Sequence, residues 1–308
     1  MPIPAAPDPS PGPTPAAPAR PLEMPAYEVL APVRQSASVV FASPHSGTDY
    51  RPEFIAASRL DLLTLRRSED SFVDELFAGA PRHGAPLIRA SFPRAYIDPN
   101  REPFELDPAM FEDRLPSFVN VRSQRAAGGL GTIARVVANG AEIYRAKLSF
   151  AEAVHRIETL YRPYHAALRR LLDDTSRRFG GALLIDCHSM PSIGGPMDRD
   201  QGQRRVDFVL GDCHATSCGP AIVEQVERHL RSAGYSVVRN DPYAGGYCTR
   251  HYGQPASGRH ALQIEINRAL YMDEERIVKA TGFPALARGI EGLIEMIGGL
   301  ATAELTRP

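Results

Sequence analysis

Four polar segments follow apolar runs in this chain, and their side chains are of the kinds that bind metals and move protons. Pro44-His45-Ser46-Gly47 follows SVVFAS, Asp186-Cys187-His188-Ser189-Met190 follows ALLI, and Asp98-Pro99-Asn100-Arg101 follows Tyr96-Ile97. In ALQIEINR, Glu265 stands late in an otherwise apolar run, flanked by Ile264 and Ile266. A charged carboxylate left unpaired in such a setting costs several kcal/mol, so a cation, an arginine or a metal must face it.

Imidazole is a common metal ligand, and His45 and His188 both follow predicted strands, which brings them to one sheet edge. A catalytic zinc takes three protein ligands and keeps one position open. The stretch Arg67-Ser68-Glu69-Asp70-Ser71-Phe72-Val73 offers the third, although Glu69 and Asp70 equally suit the positive end of a helix starting there. Arginine grips a carboxylate through two parallel hydrogen bonds. Asn100-Arg101, with Arg94 upstream, can make that grip or a surface salt bridge to Glu102 or Glu105. Gly128-Gly129-Leu130-Gly131 and Gly245-Gly246-Tyr247 lack the spacing of a phosphate loop and read as tight turns bordering a pocket. Cys187 and His188 are strand neighbours and point to opposite faces, which argues against a thiol nucleophile.

These groups need a sheet to hold them. Predicted strands are 38–43, 87–90, 182–187, 206–210, 235–239 and 261–266, several of them continuous apolar runs suited to burial on both faces. Predicted helices are 149–179, with Ser149 and Glu152 as a capping box and Pro163 as a kink or break, 217–231 closed by Gly234, and 273–297. Alternation of this kind implies an α/β fold: one domain, a three-layer α/β/α sandwich with a mixed, mostly parallel central sheet.

The 308 residues carry 35 basic and 36 acidic side chains, a formal charge of −1, which argues against a protein whose whole surface binds nucleic acid or anionic lipid. No apolar run approaches the roughly 20 residues that span a bilayer. Four cysteines without a CxxC pair suit a reducing compartment, and a cytoplasmic location is expected. Residues 1–26 form a Pro/Ala-rich segment, with 10 of the 28 prolines in the first 25 positions, and are expected to be a flexible tail before a domain spanning 27–308.

The motifs SPHSG, SEDSFVDELF, PRAYIDPNREPFELD, GLGTIAR, the PYH of the long helix, IDCHSM, DFVLGD, NDPYAGGYCTRHYG and HALQIEINRALYM occur in this order between about Val39 and Met272. Together they resemble the N-formylglutamate amidohydrolase family. The resemblance implies a fold similar to zinc carboxypeptidases and aspartoacylases and the hydrolysis of an N-acyl amino acid, N-formyl-L-glutamate above all. It implies one divalent ion, zinc being the expected one, held by His45, Asp70 and His188. Thr48 stands where carboxypeptidases carry their second ligand, so Glu69 and Asp49 remain alternatives to Asp70. Glu265 resembles the general base of that wider group, and Asn100-Arg101 resembles the pair that binds the substrate carboxylate. Arg94 is expected to assist Arg101, and Arg250 and His251 to polarise the carbonyl or bind a second carboxylate. The expected partner is a small N-acyl amino acid, with no nucleic acid and no membrane, and the oligomeric state is left open. A peptidase or esterase of the same fold, and a binding protein without catalysis, are the alternatives that metal analysis and a substrate panel separate.

Overall fold

The computed structural model describes residues 25–196 and 198–300. Its strands are β1 (Tyr27–Leu30), β2 (Val39–Ser43), β3 (Leu87–Ala90), β4 (Ala182–Met190), β5 (Phe208–Gly211), β6 (Val237–Arg239) and β7 (Arg259–Asn267). They form one sheet in the order β1-β3-β2-β4-β7-β5-β6. The four central strands β3, β2, β4 and β7 run parallel, β1 pairs antiparallel with β3, β5 pairs antiparallel with β7, and β6 runs parallel to β5. The sheet is therefore mixed and mostly parallel, as its apolar strands predict.

Helices cover both faces: α1 (Pro52–Ala57), α2 (Leu62–Arg66), α3 (Val73–Leu76), α4 (Gln124–Ala127), α5 (Phe150–Arg156), α6 (Arg162–Phe179), α7 (Pro220–Ser232), α8 (Tyr247–Tyr252) and α9 (Phe283–Gly298). Strand alternation sends Val39, Phe41, Leu183, Ile185, Leu262 and Ile264 into one core with α3, α7 and α9. Val40, Ala42, Ala182, Leu184 and Ala261 enter the other core with α5 and α6. Two cores separated by one sheet make the three-layer sandwich. In α9 the buried residues Leu286, Ile290, Leu293, Ile294 and Ile297 repeat at helical spacing, each worth about 1.5–3 kcal/mol of burial.

Several expectations from the sequence are corrected. The final helix begins at Phe283, not Asp273, because Met272–Asp273 (β8) and Val278–Lys279 (β9) form a small antiparallel hairpin first. Pro163 does not split its helix. A π-helical segment, Ile157–Tyr161, widens the backbone just before it and accommodates the missing amide. Ser149 caps α5 by accepting from Glu152 N–H at 3.2 Å, but the Glu152 carboxylate accepts from Arg156 instead of reaching back. Strand β1 was not foreseen, being a four-residue edge strand. The apolar run ending at Tyr96-Ile97 forms no strand: Tyr96 lies in a turn. Of the expected Pro/Ala-rich tail, residues 1–24 lie outside the described region. Ala26 is buried, and its carbonyl accepts from Ser91 N–H at 3.1 Å. Among the described residues no helix is long and apolar enough to cross a membrane.

Candidate metal centre and active-site cavity

On β4 and β7 the face that begins apolar turns polar toward the carboxyl end. Ala182 and Leu184 give way to Asp186 and His188, and Ala261 gives way to Gln263, Glu265 and Asn267. The parallel register sets His188 opposite Glu265 and Asp186 opposite Gln263. The even-numbered positions of β4 thus carry the chemistry while Cys187 stays in the opposite core, where burial holds its thiol well above the usual range.

His45 leaves β2 on a turn pinned to the segment that carries Asp70. Asp70 N–H donates to His45 O at 3.0 Å, and Ser46 Oγ donates to Asp70 O at 3.0 Å. Gly47 lies so close to the chain at Phe92 that a Cβ would sit 2.2 Å from its carbonyl oxygen, which accounts for the glycine of SPHSG. Asp70 lies in the turn before α3, which starts three residues later than the sequence suggests, at Val73.

Asp70 Oδ2 sits 3.3 Å from His45 Nδ1 and 3.0 Å from His188 Nδ1, and all three residues are buried. The other ring nitrogen of His45 faces Asp98 Oδ1 at 2.7 Å. That of His188 lies 2.9 Å from Asp186 Oδ1 and 3.2 Å from Asn100 Nδ2. Asn100 Oδ1 accepts from Cys248 N–H, so its Nδ2 presents an N–H to the ring, and Nε2 cannot serve both neighbours in one protonation state. Asp186 Oδ1 is buried and makes no hydrogen bond among the described residues, although it lies close to His188 Nε2. A carboxylate thus faces the Nε2 of each ring, and both Nδ1 atoms face the Asp70 carboxylate. The three residues offer donor atoms within 4.8 Å of one another, an anion among them, and could hold a cation at their centre. The donor set, two imidazoles and a carboxylate with further carboxylates behind, fits a zinc-type ion.

Burial and neighbouring charge act strongly on these groups. Burial alone would raise the Asp70 carboxyl, yet His188, His45 and Arg94 hold it well below the usual range. Burial would lower His188, but Asp186 and Asp70 hold it well above. Asp98 is likewise buried and held low, chiefly by Arg94 and His45.

Beside this cluster opens a cavity of about 290 Å³, a volume suited to a small molecule. His45, His188, Arg94, Asn100, Arg101, Arg250 and Glu265 all line it. Glu265 is 7% exposed, accepts from Gln263 Nε2 at 2.8 Å, and is pushed up to about 7 by burial, with His188 opposing and Asp70 adding to the shift. Arg101 donates to the carbonyls of Leu130 and Asn100 at 2.9 and 3.0 Å rather than to Glu102 or Glu105. Burial, with Arg94 and Arg125 nearby, lowers its guanidinium below the usual value. Arg94 donates to Asp98 Oδ2 at 2.8 Å. Both glycine-rich turns border the cavity, through Gly131, Gly245 and Gly246.

The structure does not bring every expected residue there. His251 stacks on Tyr247 and lies 3.0 Å from Arg169 Nη2, outside the residues lining the cavity. Glu69 accepts from Tyr50, Arg66 and Ser71, and Asp49 pairs with Arg51, so neither alternative carboxylate faces the imidazoles. Sequence reading gave no role to Asp98 or Asp186, although the two-residue spacing of Asp186 and His188 was a visible signal. Arg268, which donates to Asp70 Oδ1 at 3.0 Å, carried no signal beyond its place in the QIEINR motif.

Residues 37–272 match the N-formylglutamate amidohydrolase family. An N-formylglutamate deformylase of Pseudomonas putida is 34% identical over 209 residues, covering 67% of this chain and 71% of that protein. Its counterpart of Pseudomonas aeruginosa is 30% identical over 252 residues, covering 80% and 87%. The crystal structure of an N-formylglutamate amidohydrolase from Ralstonia eutropha superimposes with a TM-score of 0.81 at 38% identity, covering 89% of this chain and 98% of that one. With its fold and its ordered motifs matched along most of its length, this chain belongs to the N-formylglutamate amidohydrolase family.

Proposed function

We propose that this protein is a metal-dependent amidohydrolase that converts N-formyl-L-glutamate and water to formate and L-glutamate. The observation that carries this reading is the convergence of His45 Nδ1, Asp70 Oδ2 and His188 Nδ1 beside a cavity that Glu265 and Arg101 also line. A divalent ion held by those three residues would supply the charge that acidifies water and polarises the formyl carbonyl.

The chain's own groups do the rest. Arg101, fixed by two carbonyls, binds a carboxylate of the amino acid and sets the formyl carbon in reach. Asn100 is anchored by the Cys248 amide and borders His188, so it positions more than it grips. Glu265, with a pKa raised toward neutrality, takes the proton of the attacking water. As the water oxygen bonds to the formyl carbon and the C–N bond breaks, Glu265 returns that proton to the departing amine nitrogen. Arg94 holds Asp98 against His45 and contributes positive charge to the pocket. The small cavity supports a single amino acid as substrate over a peptide.

The test is a panel of N-formyl and N-acetyl amino acids assayed for released amine, with metal analysis of the same preparation. Formate release from N-formyl-L-glutamate by protein carrying about one divalent ion per chain is the expected result. Full activity in metal-free protein, or no release from any member of the panel, overturns the reading.

A further inference from the structure

The cations lining the cavity differ in what already neutralises them. Arg94 is paired with Asp98, and Arg268 with Asp70. Arg101, Arg125 and Arg250 have no carboxylate partner among the described residues; Arg250 donates to the Gly245 carbonyl and Arg101 to two carbonyls. The Arg125 side chain is exposed and makes no hydrogen bond or ion pair among the described residues, yet it lines the cavity near enough to Arg101 for the two charges to repel.

That juxtaposition is built, not incidental. Ser123 Oγ caps α4 by accepting from the amides of Arg125 and Ala126 at 3.1 and 3.3 Å, and it donates to Glu105 in turn. Leu130 N–H donates to Arg125 O at 2.8 Å, while Leu130 O accepts from Arg101 Nε at 2.9 Å. Gly129, with φ of +80°, makes the left-handed turn that lets Leu130 serve both. One residue's backbone therefore fixes the Arg101 guanidinium and the chain that carries Arg125. Two like charges facing one cavity cost energy until an anion joins them, and a bidentate carboxylate is the anion that guanidinium planes fit.

We infer that Arg125, acting with Arg101, selects substrates that carry a side-chain carboxylate in addition to the one on the α-carbon. The inference rests on the amidohydrolase reading above and names a specificity determinant within that site. Arg125 binds in the ground state and takes no part in bond breaking, so its loss falls on KM more than on kcat.

The experiment compares kcat/KM for N-formyl-L-glutamate with that for N-formyl-L-glutamine, which has the same shape without the charge. In R125M the ratio of the two values should fall about 10- to 100-fold, the range for a hydrogen bond to a charged group. R125K should retain part of the preference through charge alone. R122M removes an exposed arginine of the same segment that does not line the cavity, and should leave the ratio as it is. Calorimetric binding of L-glutamate against L-glutamine gives a second readout that does not depend on turnover, with the same loss of preference expected in R125M. An unchanged ratio in R125M, or an equal fall in R122M, overturns the inference while leaving the proposed reaction intact. Wild-type protein that releases no formate from N-formyl-L-glutamate overturns both.

Discussion

Arg268 donates to Asp70 Oδ1 at 3.0 Å, which leaves Oδ2 alone to face the two imidazoles. The same guanidinium reaches Ser189 Oγ at 3.1 Å and Arg67 O at 3.2 Å, so one buried side chain ties the Asp70 segment to the end of β4. R268M should weaken divalent-metal affinity about 10- to 100-fold, the usual cost of losing an outer partner of a ligand. R268K should fall between, keeping charge but not three bonds. Titration against a competing chelator measures both.

Glu265→Gln should lower kcat by about 10²–10⁴-fold, the share a positioned acid–base group contributes, while metal content stays unchanged. Turnover near the wild-type level in that variant would remove Glu265 from the proton transfers.

Removing the metal with a chelator should abolish activity, and adding zinc back should restore it. Because the ion would hold together two imidazoles and a buried carboxylate, the stripped protein should also unfold at lower temperature. A ligand at 100 times its Kd stabilises by about 2.7 kcal/mol, enough for a visible shift in the melting curve.

His165 supplies a pH-dependent element of stability away from the metal ligands. Its Nε2 donates to Pro99 O and its Nδ1 accepts from Tyr252 OH, each at 2.8 Å. Burial pulls its pKa from 6.5 down to about 4. The folded protein therefore resists a proton that the unfolded chain accepts. This contribution is intact above about pH 6.5 and is lost as the pH falls from there toward 4, a change on the order of 3 kcal/mol. In H165Q the decline of unfolding free energy over that interval, followed by urea titration at several pH values, should be shallower than in the wild type.

Gly246→Ala should damage the site through Asn100. A Cβ at position 246 would lie 2.2 Å from Asn100 Nδ2 and 2.4 Å from Oδ1, so the amide must leave the Cys248 N–H it now accepts from. Overpacking of this kind costs about 1–3 kcal/mol. A lower melting temperature together with a reduced kcat/KM is the expected outcome.

Much of the architecture is legible along the chain because burial on both faces demands continuous apolar runs. Those runs mark β2, β3, β4 and β7 and place His45 and His188 where such sheets gather ligands. Glu265 announced itself by its apolar neighbours. Short elements did not: β1 and the Met272–Lys279 hairpin are too brief for periodicity to show, and only pairing with a neighbour makes them strands. The family resemblance pointed to Asp70 as the third ligand and left Glu69 and Asp49 as alternatives. Tertiary structure sets Asp70 beside the two imidazoles, while Arg66, Tyr50 and Ser71 turn Glu69 away and Arg51 holds Asp49. It likewise set Asp98 and Asp186 behind the imidazoles and directed His251 toward Arg169 and Tyr247. Residue type and local pattern depend on neighbours along the chain, so they can be read from it. The direction of a side chain depends on partners brought in by strand register and by loops far apart in sequence, and those become neighbours only when the chain is folded.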